Sequence, residues 1–200
     1  MKNIVRIAVL TFIFSILFSS VYLSAECSEI SNEVLRLHIL ANSNSEQDQE
    51  LKLKLRDFLL KETENVFKNC KTKEESIVSA NENLSDIEKL SNEFIKTQGF
   101  DYKVKVELEE VYFNTRVYDS FAMPPGKYNA LRVLIGSGEG HNWWCVMYPP
   151  VCLPSAESTE KLDQVLDENQ MEIIENEPKY EIKFKIFEVY DAIESFFKSF

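Results

Sequence analysis

The sequence has little of what builds a chemical centre. It contains two histidines in 200 residues, His38 and His141, and neither has a carboxylate or second histidine at metal-ligand spacing. The four cysteines include no CxxC pair, so no zinc site is expected. Glycines number five, three of them in Gly136-Ser137-Gly138-Glu139-Gly140. That cluster misses a dinucleotide fingerprint, because His141 stands where the third glycine belongs, and a Walker lysine and hydroxyl are absent too. Glu139 would also repel phosphate. The segment reads as a glycine-rich turn between strands, and no cofactor is expected. Basic residues are scarce: 22 Lys and Arg face 33 Asp and Glu, for a net charge of −11. Such a balance argues against nucleic acid, which is held by neutralising phosphates, and against anionic lipid. Internal repeats and Gly/Ser- or Pro-rich linkers are missing, so no internal domain boundary is expected.

What is present begins with an export signal. Lys2 and Arg6 precede Ile7–Leu23, 17 residues without a charge, and Ser24-Ala25 follows. This is the layout of a secretory signal peptide, with orientation set by the two basic residues. Ala25 suits the position before a cut, whereas Leu23 is bulky where a small residue is preferred, and Glu26 before Cys27 spoils a lipoprotein box. Both a signal peptide and a signal anchor therefore fit residues 1–25, with one extracytoplasmic domain over 26–200. Without Met1–Ala25 the chain keeps 20 basic and 33 acidic residues over 175 positions, long enough for one proper core.

Periodicity outlines the elements. Val34–Leu40 alternates as a strand. Ser45 with Asp48 resembles a capping box opening a helix to about Phe67, and Thr72 with Glu75 opens a second that stops at Gly99. Tyr102–Leu108 alternates with charged residues, Val111–Tyr118 reads as another strand, and Ala130–Ile135 and Trp143–Tyr148 as two more. A short helix is expected over Thr159–Asn169, a last strand over Tyr180–Phe187 and a terminal amphipathic helix over Val189–Lys198. The class is α+β: a mixed, mostly antiparallel sheet packed against helices, in a single domain after the N-terminal signal segment.

Two constellations invite a function. His141 and Cys145 could be base and nucleophile of a cell-envelope hydrolase, but Cys–His pairs usually come from distant parts of a chain. Cys145 has a competing use, since Pro149-Pro150 must turn the chain between it and Cys152. A Cys145–Cys152 disulfide and two buried thiols both fit. Trp143-Trp144 is the second constellation. Adjacent strand residues point to opposite faces, so one indole can enter the core while the other meets solvent, a covering helix or a partner. Exposed Trp beside a glycine loop has the composition of an interface hot spot.

Two segments together resemble a known family. Arg36-Leu37-His38-Ile39-Leu40-Ala41-Asn42-Ser43-Asn44-Ser45-Glu46-Gln47-Asp48-Gln49, continuing to Arg56-Asp57, resembles the first signature of the stage II sporulation protein R family. Tyr128-Asn129-Ala130-Leu131-Arg132-Val133-Leu134-Ile135-Gly136, then Gly140-His141-Asn142-Trp143-Trp144-Cys145-Val146-Met147-Tyr148-Pro149-Pro150-Val151-Cys152, resembles its second. The resemblance implies a secreted signalling protein rather than an enzyme, exported into the space between forespore and mother cell. Its implied partner is a membrane-embedded aspartic protease, stage II sporulation protein GA, which processes the sigma-E precursor; no nucleic acid and no small-molecule substrate are implied. Expected contact residues are Asn42, Ser43 and Asp48 in one turn, and Gly140, His141, Asn142, Trp143 and Trp144 in the other segment. The alternative is a peptidoglycan hydrolase using Cys145 and His141.

Overall fold

The computed structural model describes residues 2–118, 121–150, 161–175 and 188. One helix, α1 (Lys2–Glu33), runs unbroken through the segment expected to be a leader, past Ala25, and on for about two further turns. Its outer part leaves Ile4, Val5, Ile7, Leu10 and Phe14 exposed, whereas Cys27, Ile30 and the following Val34 are buried. The boundary expected at residue 25 is thus not an element boundary: the stretch after it is already core. Among the described residues no helix is long and apolar enough to cross a membrane, and many α1 side chains lie outside that set.

Next come β1 (Leu35–Leu40), α2 (Glu46–Glu62), α3 (Glu64–Phe67), α4 (Lys73–Thr97), β2 (Val104–Phe113), β3 (Arg116–Val117), β4 (Ala122–Met123), β5 (Gly126–Ile135), β6 (Asn142–Tyr148) and α5 (Glu168–Glu175). Four strands form a sheet in the order β2-β5-β1-β6, and β3 pairs with β4 as a separate hairpin. β1 runs parallel to β5; the β1–β6 and β2–β5 pairs are antiparallel. The α+β class with a mixed, mostly antiparallel sheet is what the sequence led us to expect.

β1 is central and buried on both faces. Leu35, Leu37 and Ile39 join Leu131, Val133 and Ile135 of β5 under α2 and α4, where Leu51, Leu55, Leu59, Ile87 and Ile95 close the first core. The opposite face carries Phe113, Tyr128, Ala130 and Val146 against Cys27 and Ile30 of α1 and Met171, Ile173 and Ile174 of α5. A parallel β1–β5 pair buried on both sides suits near-continuous apolar strands.

Three expectations change. The first helix breaks at Thr63, whose N–H and hydroxyl both return to the Leu59 carbonyl, at 2.8 and 2.7 Å. Tyr102–Leu108 and Val111–Tyr118 are largely one strand, because β2 pairs with β5 without a shift from Val104↔Ile135 to Phe113↔Gly126. The apolar phase flips at Glu109-Glu110 because Val104 and Val106 face the first core, whereas Phe113 faces the second. A change of face had read as a break in the chain. Of Thr159–Asn169, residues 161 and 162 are helical but a turn follows, and the helix lies later, at α5. Asp167 caps it reciprocally: its Oδ1 accepts from the Gln170 N–H at 2.9 Å, and its own N–H donates to Gln170 Oε1 at 3.0 Å. The expected strand Tyr180–Phe187 and helix Val189–Lys198 lie outside the described residues, apart from Glu188 next to them.

Candidate functional site

The β1–α2 turn and the β5–β6 loop lock into each other. Gly136 and Gly138 take positive φ, +59° and +68°, and fold the loop back. Asn42 then serves both sides. Its Oδ1 accepts from the Ser137 N–H at 3.0 Å, its carbonyl accepts from Ser137 Oγ at 2.7 Å, and its Nδ2 donates to Asp48 Oδ2 at 3.0 Å. Ser43 Oγ donates to the same carboxylate oxygen at 2.6 Å. Across the seam, the Gly140 N–H donates to the Ala41 carbonyl at 2.8 Å and the His141 N–H to Asn44 Oδ1 at 2.7 Å. Lys52, buried on α2, completes the lock by donating to the His141 carbonyl at 2.9 Å and to Gln49 Oε1 at 2.6 Å.

The cap at Ser45 is half as expected. Ser45 Oγ accepts from the Asp48 N–H at 3.2 Å, but the Asp48 carboxylate turns to Asn42 and Ser43 instead of reaching back to the cap. Burial opposes its ionisation, yet hydrogen bonds from Ser43, Asn42, Tyr102 and Ser45 outweigh that and hold the carboxyl below its ordinary range. Burial, reinforced by the Arg56 charge, lowers the proton affinity of Lys52. Asn42, Ser43 and Asp48 therefore spend their polar groups within the chain, and Gly140 and His141 are held there by their backbones.

The second device is an arginine clamp. Arg36, wholly buried on β1, sends Nε to the Cys145 carbonyl at 3.3 Å and Nη2 to the Tyr118 hydroxyl at 2.8 Å. Tyr118 passes the bond on to the Trp144 carbonyl at 3.3 Å. The guanidinium lies 4.5 Å from the centre of the Phe113 ring and 5.0 Å from that of Tyr128, so ring faces stabilise its charge. One residue of the first segment thus grips the backbone of the second at Trp144-Cys145.

That grip presents two indoles, on opposite faces of β6, and both are half-buried. Trp143 packs against the first core, with the Arg56 guanidinium 4.2 Å from its ring centre. Trp144 packs against the second core, stacked on His38 at 3.8 Å and 13°, with Phe113 edge-on and Arg116 4.9 Å away. Neither indole is wholly core and neither is wholly free. Asn142, at the start of the strand, is exposed, as is His141 before it.

Cys145 is buried and disulfide-bonded, whereas Cys27 and Cys70 are thiols. Cys152, its expected partner, lies outside the described residues. His38 is buried, and its ring meets the side chain of Asn142 without a well-formed hydrogen bond to it. Burial first, then the charges of Arg132, Arg36 and Arg116, lower its pKa to about 3, which the Asn142 side chain opposes only in part. An unfolded histidine takes a proton near pH 6.5. The depressed group contributes stability in full above pH 6.5 and loses it as pH falls towards 3, by about 3 kcal/mol at pH 4. Acid titration of unfolding should show this slope, and His38→Leu should flatten it between pH 6.5 and 4, while the Asp48 contribution is lost only lower. An unchanged slope in the variant would remove His38 as the cause.

Sequence reasoning found the two segments but missed the residues that organise them: Arg36, Lys52, Arg56 and Arg116. Arg36 did carry a signal, a charge inside an otherwise apolar strand. Its partners, between 82 and 109 positions away, carried none.

The family model described as Stage II sporulation protein R (spore_II_R) matches residues 31–158, which include both segments. The chain belongs to the stage II sporulation protein R family. The stage II sporulation protein R of Bacillus subtilis (strain 168) is 36% identical over 123 residues, covering 62% of this chain and 55% of that relative. The match therefore spans about half the relative's length. No solved structure matches the chain. Membership supports a role in sporulation, and the two locked segments lie inside the matched region.

Proposed function

We propose that the protein is an exported signal, not an enzyme. It binds the outward-facing part of a membrane-embedded aspartic protease, stage II sporulation protein GA, between forespore and mother cell, and thereby promotes cutting of the sigma-E precursor. Family membership supports the sporulation role. The observation that carries the contact surface is the pair of half-buried indoles, Trp143 and Trp144, held on opposite faces of β6 by a buried arginine clamp. A pre-ordered pair loses little conformational freedom on binding, which favours affinity. The signal can only contribute the difference in its affinity for the protease's active and inactive states.

The locked turn supports this surface from behind. Asn42, Ser43 and Asp48 position the loop, and Asn142, Trp143 and Trp144 make the contact. The hydrolase alternative needs a thiolate at Cys145, but that sulfur is in a disulfide and the residue is buried. Whether the leader is cut or kept as an anchor, Cys27 to Val34 belong to the folded domain.

The reading is tested by co-expressing the protease and the sigma-E precursor in a non-sporulating bacterium, with and without the exported protein. Cleavage that requires the export-competent chain supports it; no cleavage, with the protein shown to be folded outside, refutes it. In the same assay Trp143→Ala and Trp144→Ala should each lose at least about 30-fold in signalling, the effect of a hot-spot residue worth roughly 2 kcal/mol. Each should still melt cooperatively. Two variants that fold and signal like the parent would move the contact elsewhere.

A further inference from the structure

Buried charges in this domain are mostly answered. Lys52 has Gln49 and the His141 carbonyl, Lys73 reaches the Ser31 carbonyl at 3.3 Å, and Asp48 has Asn42 and Ser43. The sheet face opposite α2 and α4 is different. Six buried side-chain nitrogens lack a well-formed hydrogen bond among the described residues, and five of them belong to this face: Arg36 Nη1, Arg116 Nε, Arg132 Nε, and His38 Nδ1 and Nε2, whose ring meets the Asn142 side chain.

These residues converge by register. His38 on β1 pairs with Arg132 on β5 and with Trp144 on β6, while Arg36 sits two positions along the same strand and face. Arg116, from the β3–β4 hairpin, lies over the Trp144 ring that stacks on His38. Three guanidinium groups thus surround one imidazole in a chain whose net charge is −11. From β2, Glu109 pairs with Arg132, and Glu107, opposite Arg132 in register, pairs with Lys105. Among the described residues, Arg36 and Arg116 have no carboxylate partner. A buried donor left unpaired costs about 1–3 kcal/mol, so a concentration of them on one face calls for a ligand.

We infer that Arg36, His38, Arg116 and Arg132, walled by Trp144, form an oxyanion-binding site. Each of the three guanidinium groups keeps one buried N–H without a well-formed bond, and charge-assisted N–H donors recognise carboxylate and phosphate oxygens. The oxyanion can be a free phosphate or a carboxylate side chain presented by a peptide; the chemistry is shared. A bound oxyanion would offset the arginine charges that now oppose protonation of His38. Binding should therefore draw a proton onto the ring and strengthen as pH falls, for as long as the oxyanion itself stays ionised: a carboxylate only down to about pH 4.

The chain has two histidines, which makes the test direct. Imidazole NMR resonances of the full-length protein in neutral detergent are titrated between pH 2 and 8 in chloride, in 10 mM phosphate, and with a tetraglutamate peptide, all at one ionic strength. The His38 midpoint should rise by about a unit or more in at least one arm, saturably, while exposed His141 serves as the internal reference. Saturation by phosphate alone assigns a free ion, and saturation by the peptide alone assigns a carboxylate side chain. Arg116→Gln and Arg132→Gln should weaken the response about tenfold each, with the chloride titration confirming that both variants stay folded. A His38 midpoint that is the same in all three arms, or one that moves no more than His141, overturns the site.

Discussion

Gly140→Ala should destabilise the domain by about 3 kcal/mol, lowering its melting temperature by roughly 6–12 °C. An added Cβ would collide with the Ser43 carbonyl, which is backbone in a hydrogen-bonded turn and cannot swing aside, and would lie 2.9 Å from the Ala41 Cβ. The loop must then lift. Lifting breaks the Gly140-to-Ala41 bond and loosens those from His141 N–H to Asn44 and from Lys52 to the His141 carbonyl. Lys52 would be left buried without one of its two acceptors. Gly99→Ala is the control: Gly99, unlike Gly140, has positive φ, +85°, but nothing lies within 4 Å of its added Cβ, so only about 1 kcal/mol of backbone strain is expected. Thermal melts of the two variants compare collision with strain. Equal, small shifts would mean that the two segments are not locked through Gly140.

The elements were legible wherever one face was consistently apolar or a cap was local. Thr72 with Glu75 announced α4: the hydroxyl accepts from the Glu75 N–H at 3.2 Å, and the carboxylate accepts from the Lys71 N–H at 2.7 Å, one residue before the cap. The same signal, Asp167 with Gln170 ahead of Met171, Ile173 and Ile174, marked α5 equally well and was passed over for an earlier helix. β2 was misread for a different reason. Periodicity reports which face is buried, and β2 crosses from one core to the other along its length, so the phase changed while the strand continued.

The candidate site was legible as two segments and illegible as a geometry. Asn42, Ser43 and Asp48 were expected to contact a partner, because a sequence shows side-chain type and not what satisfies it. The partners of Asn42 include Ser137, 95 positions later. Trp143 and Trp144 were expected to point to opposite faces, one into the core and the other to solvent, a covering helix or a partner. The four-stranded sheet has a core on each face, so both indoles find packing and both keep an exposed edge. Alternation gave the opposite faces; it could not say that each face carries a core.

Arg36→Ala should be the most damaging single change in the domain, costing about 3–5 kcal/mol. The variant leaves the Cys145 carbonyl without its bond from Nε and opens a cavity between Phe113 and Tyr128. It also removes the donor to the Tyr118 hydroxyl, the first link of the chain that ends at the Trp144 carbonyl. Arg36→Lys keeps the charge but supplies a point donor in place of a fork, so it should recover only part of the loss. Arg36→Met refills most of the volume and removes the cost of a buried charge, and should therefore be the mildest of the three in a melt. If the clamp matters for function and not merely for folding, Arg36→Met should still signal poorly, with faster amide exchange at Val146 and its neighbours on β6. A Met variant that melts near the parent, protects those amides and activates precursor cleavage normally would show that the indoles are held by the strand pairing alone.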